Sequence, residues 1–455
     1  MLKHFRLAAG IMLLAFTPLS AQTPAPAKAP VPADAAKIQT KTLANGMKII
    51  VWPDNDIPNV ALYNWFRVGS RNERPGITGL AHFFEHMMFN GAKKYGPGAF
   101  DGTMEANGGA NNAYTSNDVT VYQDWFPRSA LELIFDLEAD RMQNLAFDPK
   151  IIESERGVVY SERRSGVDNN NAGMLFEQVQ ATAFVAHPYQ FPTIGWPSDI
   201  ESWTHEDLTS FFKTYYAPNN ATLIVVGAVS PEEIFTLAKK YLEPIPAQPA
   251  PEPIKTKEPE QLGERRVTIR KEAQTPLLQM AYHIGSATDP DREALELLVA
   301  ILTRGDSSRL YRSLVEQGAA IDVDSYQEEG FDPALVWLFA TLPSGGDLAK
   351  AEALIDSGLA EVAAKGVTDA ELRKAKNMKV ADFWRNLTTI SGKAQALGQY
   401  EVLMGGYAKL FEAPGRYEAV TKEDIQRVAQ KTFRRTNRTV GVLIPEAAAT
   451  QETAE

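Results

Sequence analysis

Residues 80–91 have the sequence Leu-Ala-His-Phe-Phe-Glu-His-Met-Met-Phe-Asn-Gly, in which three polar side chains interrupt an apolar run. In a helix, His82 and His86 lie one turn apart on the same face, and Glu85 projects beside them. Two neutral imidazoles and one anionic oxygen ligand would fill three positions around a zinc ion. The fourth position would hold a water molecule whose pKa falls to about 7, and Glu85 would accept its proton.

The alternative interpretation of this stretch is a buried helix whose histidines make ordinary hydrogen bonds. The chain has only six histidines, and two of them stand at ligand spacing around a glutamate. Their order, H-x-x-E-H, is the inverted zincin signature. The pattern therefore favours a metal site over a purely structural helix.

A third ligand is expected in a second helix, predicted within residues 147–164. Asp148 suits the N-cap and Pro149 suits the first helical position. Glu155 and Glu162 are seven residues apart and fall on one face of this helix. By itself, such an acidic stripe is more typical of a solvent-exposed surface.

Together, the two segments resemble the pitrilysin/insulinase family of zinc peptidases. In that family H-x-x-E-H is followed about 76 residues later by a ligand glutamate that ends an E-R-x-x-x-x-x-E segment, and here His86 and Glu162 are 76 residues apart. The resemblance implies one Zn²⁺ per chain, with His82, His86 and Glu162 as ligands. It also implies that Glu85 is the general base and that Glu155 is a carboxylate supporting the ligands.

Residues 108–122, between the two helices, begin with two glycines and continue in the alternating pattern of a strand. They contain the N-A-x-T element of the family's substrate-binding edge strand. The resemblance therefore implies that Asn112 and Ala113 contact peptide substrates, by a strand addition that depends little on the substrate's side chains. The alternative is an ordinary edge strand after a glycine-rich turn.

The N-terminus carries the features of a secretory signal peptide. Two basic residues precede an apolar run of thirteen residues, Leu7 to Leu19, which is too short to span a bilayer. The signal is assigned to residues 1–21 and a Pro/Ala tether to residues 22–36. With no further apolar run that could serve as a membrane anchor, the mature protein is expected to be soluble and periplasmic.

Composition excludes several other kinds of site and partner. The chain has no cysteine, so disulfides and thiolate metal sites are excluded. Its formal net charge is −11, and it becomes −13 when Lys3 and Arg6 are removed with the signal peptide. This acidic balance argues against nucleic acid as a partner.

The sequence also contains two related halves. Thr204-x-Glu-Asp-Leu is followed, sixteen residues after the threonine, by Asn220 and an apolar strand, and Thr421-x-Glu-Asp-Ile is followed in the same way by Asn437. This repeat of 217 residues indicates two copies of one α/β unit. In the first copy, residues 38–43 and 47–52 are predicted strands joined by a type I′ turn at Asn45-Gly46.

The predicted fold class is α+β, with two homologous α/β domains, each a mixed sheet with helices packed on one face. The zinc-bearing domain is assigned to residues 37–245, a linker rich in Pro, Glu and Lys to 246–264, the second domain to 265–447 and a tail to 448–455.

The second domain is not expected to hold a zinc site of this type. It has Lys376 and Phe383 where the first domain has its two glutamates, and His283 is its only histidine. In the first domain, His187 lies in a loop that also resembles the family, and we expect it to shape that loop rather than bind metal.

In one respect the chain departs from the family. Active members carry an arginine and a tyrosine, seven residues apart, that stabilise the reaction's oxyanion. The matching positions here are Leu314 and Ile321, which donate no hydrogen bond, and the nearby Arg312 is expected to point elsewhere. Family members of this two-domain size commonly work as pairs that form a closed chamber. The resemblance therefore implies a heterodimer, in which a homologous subunit supplies the Arg/Tyr pair and each chain forms half of a clamshell-like chamber.

The motifs and the resemblance together predict a zinc metalloendopeptidase, and the family's chamber implies oligopeptides and unfolded segments as substrates. The alternative is a non-catalytic assembly or scaffold subunit of the same fold. Zinc content and the effect of Glu85→Gln distinguish the two, because a scaffold should be indifferent to both. A purely structural zinc ion is less favoured, because three protein ligands leave one position open.

Overall fold

The computed structural model describes residues 35–446. The predicted signal peptide (1–21), most of the tether (22–36) and the tail (448–455) lie outside the described residues. Within residues 35–446, no helix combines the length and the apolar character needed to cross a membrane.

The first half of the chain builds a six-stranded sheet. Its strands are β1 (Gln39–Thr42), β2 (Lys48–Pro53), β3 (Asn59–Phe66), β4 (Ala110–Thr115), β5 (Thr120–Pro127) and β6 (Ala221–Gly227). The strand order is β1-β2-β6-β3-β5-β4, and only β2 and β6 run parallel to each other. The central strands β3 and β6 are almost wholly buried, because helices cover both faces of the sheet.

The turn between β1 and β2 is not the type I′ turn predicted from its sequence. A type I′ turn requires positive φ at both central residues, but Gly46 has positive φ (88°) and Asn45 does not. Tertiary contacts explain the difference. The side-chain amide of Asn45 donates to the carbonyls of Leu242 (2.8 Å) and Ile245 (3.0 Å), which ties the turn to the end of the first half.

The second half builds a five-stranded sheet with the same topology. Its strands are β7 (Arg265–Glu272), β8 (Leu277–His283), β9 (Asp322–Gln327), β10 (Leu335–Thr341) and β11 (Arg438–Glu446), in the order β7-β11-β8-β10-β9. Only β7 and β11 are parallel. This order matches β2-β6-β3-β5-β4 of the first sheet, so the prediction of two related halves is confirmed.

The repeated sequence motifs make the same contacts in both halves. Thr204 and Thr421 each cap a helix with their hydroxyl oxygen, and each is capped in return by an aspartate three residues later. Asn220 donates to the carbonyl of Tyr215 (2.8 Å), and Asn437 donates to that of Thr432 (2.8 Å). The motifs thus recur because each half needs the same helix start and the same link between helix and strand.

The helices also divide between the two halves. Those of the first half are α1 (Leu80–Met87), α2 (Ala99–Ala106), α3 (Leu131–Asn144), α4 (Pro149–Arg163), α5 (Asn171–Ala183), α6 (Pro197–Ser202), α7 (His205–Tyr215) and α8 (Pro231–Tyr241). Those of the second half are α9 (Arg292–Thr303), α10 (Leu348–Lys365), α11 (Asp369–Asn386), α12 (Ile390–Val402), α13 (Ala413–Ala419) and α14 (Lys422–Thr432). Apolar residues of α1, α3, α4, α7 and α8 pack on one face of the first sheet, and those of α9, α10, α11 and α14 pack on one face of the second.

The opposite face of each sheet is covered by a helix from the other half. Helix α12 packs on β3 and β6, and α5 packs on β7, β8 and β11. Two glycines permit the close approach. A Cβ on Gly398 of α12 would lie 2.1 Å from the ring of Trp65, and a Cβ on Gly441 of β11 would lie 2.2 Å from a methyl of Val179 in α5. The two halves are therefore joined by buried apolar contacts on both sides of their boundary.

The predicted linker, residues 246–264, contains neither helix nor strand. It is bound to the first half by hydrogen bonds. The carboxylate of Glu258 accepts hydrogen bonds from the backbone N–H groups of residues 185–187, at 2.9 to 3.0 Å. The segment thus holds the loop that contains His187. The domain boundaries at its two ends stay predictions.

Candidate metal centre

Helix α1 starts at a position that only glycine suits. Gly79, its N-cap, has φ 88°, and a Cβ there would lie 2.6 Å from the carbonyl oxygen of Ile194. The buried carboxylate of Glu73 accepts hydrogen bonds from the N–H groups of Gly79 (2.7 Å) and Ala81 (2.8 Å). Burial raises the pKa of Glu73 well above its usual range, against these hydrogen bonds. Glu73 therefore fixes the start of the helix, which the sequence alone does not indicate.

The apolar side of α1 sets its rotation. Phe83, Phe84 and Met87 are buried against the sheet and its neighbouring helices. The hydroxyl of Tyr122 in β5 donates to the carbonyl of Phe84 (2.8 Å). With this side fixed, the three polar residues of the motif lie together on the half-buried side of the helix.

Helix α4 starts as predicted and brings its glutamates to the same place. Asp148 is the N-cap and accepts a hydrogen bond from the backbone N–H of Lys150 (2.7 Å), and Pro149 is the first helical residue. Ile152 and Val159 are buried against the first-half core. The glutamates Glu155 and Glu162 lie on the side that faces α1.

The structure brings His82, His86 and Glu162 together. Oε2 of Glu162 lies 3.3 Å from Nε2 of His86 and 3.7 Å from Nε2 of His82. One ligand atom from each residue lies within 4.8 Å of the other two, and no second group of this kind occurs in residues 35–446. Two imidazole nitrogens and a carboxylate oxygen are a ligand set typical of zinc enzymes, so the three residues fit a Zn²⁺ ion.

Glu155 sets the orientation of the His86 ring. Its Oε1 lies 2.7 Å from Nδ1 of His86, so Nδ1 carries the hydrogen and Nε2 keeps its lone pair toward Glu162. Burial lowers the pKa of His86, but the hydrogen bond to Glu155 and the charge of Glu162 outweigh burial and raise the pKa overall. Glu155 thus orients the ring of His86, and the supporting role at a metal ion that the resemblance implies for it stays a prediction.

His82 is kept neutral by its surroundings. Burial, and then the neighbouring His86, lower its pKa to about 3. Its Nδ1 is buried and has no hydrogen-bond partner among the described residues. A neutral imidazole whose Nε2 points at a carboxylate and a second imidazole suits a metal ligand better than it suits a hydrogen-bonded core histidine.

Glu85 faces the same space but is held by a different element. Its Oε2 accepts a hydrogen bond from the hydroxyl of Thr115 at the end of β4, at 2.6 Å. Burial raises the pKa of Glu85, against the hydrogen bond from Thr115. Thr115 is the last residue of the N-A-x-T element, and no local pattern in the sequence indicates its contact with Glu85.

Strand β4 is the outer strand of the first sheet. Asn112 is paired with Gln123 and Ala113 with Tyr122 of β5, and no strand within residues 35–446 pairs with the other edge of β4. Asn112 is exposed and Ala113 is half-buried. Ala113 packs with the core on the α1 side of the sheet, so the two residues present different faces of one open edge.

The second half places apolar residues at the two positions where active family members carry their oxyanion donors. Leu314 is fully buried, and Ile321 has a 56% exposed side chain just before β9. Arg312 is exposed. His283 of this half bonds the carbonyl of Ala183 in α5 (3.0 Å). Leu314 and Ile321 thus offer no side-chain hydrogen-bond donor, and the direction expected for Arg312 stays a prediction.

His187 is buried and contacts both halves. Its Nδ1 accepts a hydrogen bond from the backbone N–H of Tyr189 (3.2 Å), and its Nε2 lies 3.2 Å from a carboxylate oxygen of Asp332 in the second half. Burial lowers its pKa, against the attraction of Asp332. These contacts hold His187 within its loop, and its assignment as a loop-shaping residue rather than a metal ligand stays a prediction.

Two family models match this chain. The model described as insulinase (peptidase family M16) matches residues 50–195, which include α1, α4 and β4. The model described as the peptidase M16 inactive domain matches residues 202–379.

Similar proteins span nearly the whole chain. The zinc protease PqqE of Helicobacter pylori is 33% identical over 417 residues, covering 90% of this chain and 93% of its own. A probable mitochondrial-processing peptidase subunit beta of Arabidopsis thaliana is 27% identical and covers 87% of this chain and 76% of its own. The crystal structure of a protease from Helicobacter pylori superposes with a TM-score of 0.87 at 31% identity, over 90% of this chain and all of that one.

Proposed function

The chain belongs to the insulinase family of peptidases, M16, and on this premise we propose that it is a zinc-dependent endopeptidase that cleaves extended peptides. One observation carries the proposal. The ligand atoms of His82, His86 and Glu162 converge within 4.8 Å, and a half-buried glutamate, Glu85, lies on the same helix as the two histidines. This combination is typical of metal-assisted hydrolysis.

These three residues would hold a Zn²⁺ ion, which would supply Lewis acidity at the site. His82 and His86 offer Nε2, and Glu162 offers a carboxylate oxygen. Glu155 fixes the ring of His86 through Nδ1. The ligands thus come from two helices whose apolar sides share one core, so the protein sets their spacing before anything binds.

Glu85 is the residue that we propose moves protons. One of its oxygens is occupied by the Thr115 hydroxyl, which leaves the other to accept a proton from the attacking water. The same carboxyl group would then donate that proton to the amine that leaves when the peptide bond breaks. Its partial burial suits both steps, because burial raises the carboxyl pKa toward neutrality.

We propose that the substrate binds along β4. The free edge of this strand presents unpaired backbone N–H and C=O groups that can pair with an extended peptide. Asn112 and Ala113 would lie beside the peptide, and Thr115 at the end of the strand touches the proposed base. Because main-chain pairing does not depend on side chains, the enzyme would accept many substrate sequences and would prefer unfolded segments.

We further propose that full activity needs a homologous partner subunit. Leu314 is buried and Ile321 is aliphatic, so neither can stabilise an oxyanion. The name of the Arabidopsis relative designates it as a subunit, which is compatible with a two-subunit enzyme. The partner would carry the Arg/Tyr pair, and the two chains would close around a chamber. A periplasmic location, expected from residues 1–21, also stays a prediction.

The test is hydrolysis of a quenched fluorescent peptide mixture by the zinc-loaded protein, alone and mixed with homologous proteins from the same organism. Activity that is lost on chelation and in Glu85→Gln supports the endopeptidase. Activity that appears only in a mixture supports the partner requirement, and full activity of the chain alone excludes it. If Glu85→Gln and zinc removal change nothing in any mixture, the protein is a scaffold and the proposal is wrong.

A further inference from the structure

The contact between Thr115 and Glu85 joins the outer strand of the sheet to the metal-binding helix. The Thr115 hydroxyl lies 2.6 Å from Oε2 of Glu85 and 3.5 Å from the hydroxyl of Thr120. The Thr120 hydroxyl donates its own hydrogen to the carbonyl of Val68 (2.9 Å). The hydrogen of Thr115 therefore goes to Glu85, which offers the shorter and charge-assisted bond.

Thr115 is itself fixed by the tight turn that follows it. The backbone N–H of Ser116 donates to the carbonyl of Val119 (2.8 Å), and the side-chain oxygen of Ser116 accepts from the N–H groups of Asp118 and Val119 (3.2 Å each). This turn leaves the end of β4 little freedom relative to β5.

The turn is also anchored to the second half of the chain. The buried carboxylate of Asp118 accepts hydrogen bonds from Arg71 (3.1 Å), from the hydroxyl of Tyr189 (2.7 Å) and from the backbone N–H of Phe331 (2.9 Å). Residues from both halves thus hold the β4–β5 hairpin at its tip. The second half, which has no metal ligands of its own, fixes the strand that carries Thr115.

We propose that Thr115 is a positioning residue, which holds one carboxylate oxygen of Glu85 so that the other faces the peptide bound along β4. This inference rests on the proposed peptidase function. The same strand would then align the substrate and the base, because Ala113 and Thr115 lie two residues apart on one face of β4.

The chemistry of the threonine side chain accounts for its use here. Its Cβ branch restricts the side-chain rotamers, so the hydroxyl stays aimed at Glu85 without an ordering cost at each turnover. A carboxylate without this bond could rotate about its side-chain torsions toward the imidazoles. Misplacement of a reacting group by about 1 Å can cost about 100-fold in rate.

The test uses four variants of the zinc-loaded protein, assayed under the condition in which the wild type is active. Thr115→Val is nearly isosteric and removes only the hydroxyl, so kcat should fall about 10- to 100-fold with KM within about 2-fold. Thr115→Ser keeps the hydroxyl and should recover most of the activity. Glu85→Gln and Glu85→Gln/Thr115→Val should be equally slow, because Thr115 acts only through Glu85.

Three results would overturn the inference while leaving the peptidase function intact. They are a Thr115→Val enzyme with wild-type kcat, a Thr115→Ser enzyme as slow as Thr115→Val, and a double variant much slower than Glu85→Gln. The last result would mean that the threonine shapes the strand and does not position the base.

A second readout does not depend on activity. In crystal structures of the full-length protein, the Glu85 carboxylate should keep its place in Thr115→Ser and leave it in Thr115→Val, with equal zinc content in both. An unmoved carboxylate in Thr115→Val contradicts the inference. If no preparation of the wild type hydrolyses peptides in a Glu85-dependent way, the proposed function fails, and these structures still decide whether Thr115 holds Glu85.

Discussion

Nδ1 of His86 lies 2.7 Å from Oε1 of Glu155, and this contact fixes which ring nitrogen faces Glu162. The two residues come from different helices, α1 and α4, so the contact also ties the helices together at the metal centre. A histidine whose ring is held in this way by a carboxylate donates its electron pair more strongly to a metal ion and is better oriented for it.

The first prediction concerns zinc affinity. Glu155→Ala removes the acceptor for Nδ1, so the His86 ring can turn and the ligand set loosens. We expect the affinity for Zn²⁺ to fall about 10- to 100-fold, measured by competition with a chelator. Glu153→Ala is the matched control, because Glu153 lies on the same helix with a 78% exposed side chain. Equal losses in both variants would contradict the role of Glu155.

The second prediction concerns acid stability. Glu371 accepts hydrogen bonds from Arg309 (2.7 and 2.9 Å) and closes the capping box of α11 with Thr368. These contacts, the Arg309 hydrogen bond first, lower the pKa of Glu371 to about 2. Its carboxylate therefore stabilises the native state fully above about pH 4.5, and this contribution is lost as pH falls toward about 2.

Glu371→Gln should thus lower the free energy of unfolding at pH 7 by about 1 kcal/mol. The difference from the wild type should shrink steadily below about pH 4.5, since the amide keeps the cap but not the charge. Urea unfolding between pH 7 and pH 3 measures it. Glu361→Gln, at an exposed pair with Lys365, should show little effect at any pH. A constant difference across this range would show that charge is not the cause.

The third prediction concerns helix α12, which belongs to the second half but packs on the first sheet. Alanine usually stabilises a helix by about 1 kcal/mol relative to glycine, but a Cβ on Gly398 would lie 2.1 Å from the indole of Trp65. Gly398→Ala should therefore lower the free energy of unfolding by about 1 to 3 kcal/mol. Gly415→Ala in α13, where nothing lies within 4 Å of the added Cβ, should be neutral or stabilising. Thermal unfolding of both variants gives the comparison.

The sequence predicts that His82, His86 and Glu162 lie together, and the structure places them so, because their arrangement is largely local. Helical periodicity alone places His82 beside His86 and Glu155 in line with Glu162, and the spacing typical of the family relates the two helices. The helix starts at Thr204 and Thr421 are equally local, since a capping box involves residues three apart.

Other features depend on contacts that no local pattern encodes. Glu73 lies in a polar stretch typical of a surface loop, yet it is buried and caps α1. The Asn45-Gly46 pair predicts a type I′ turn, but the side-chain amide of Asn45 donates hydrogen bonds to backbone carbonyls about 200 residues away. The packing of α5 and α12 on the sheet of the other half likewise depends on tertiary contacts. Gly398 and Gly441 are the residues that permit this close packing, but a glycine alone does not predict it.

The last prediction tests whether the second half supports the substrate-binding strand. Gln395 of α12 donates to the hydroxyl of Tyr114 in β4 (2.9 Å) and accepts a hydrogen bond from Gln123 in β5 (3.2 Å). Gln395 therefore links the edge strand β4 to its neighbour β5 from the α12 side of the sheet. Tyr114 also packs edge-to-face on Trp65, so the bridge stabilises an already packed strand.

Gln395→Leu keeps the size of the side chain and removes both hydrogen bonds. Loss of about 1 kcal/mol of strand stability should raise KM for peptides about 3- to 10-fold and leave zinc content unchanged. Amide hydrogen exchange in β4 should become faster by a similar factor, which reports on the strand without any substrate.

Gln430→Leu is the control, because Gln430 also bonds across helices, from α14 to the carbonyl of Ala363 in α10, but does not touch the first sheet. If Gln395→Leu leaves exchange in β4 unchanged, the bridge does not stiffen the strand. If exchange quickens while KM stays constant, peptides do not depend on the order of β4, and their binding site must lie elsewhere. Faster exchange together with a higher KM would show that the second half of the chain supports the substrate-binding strand of the first half.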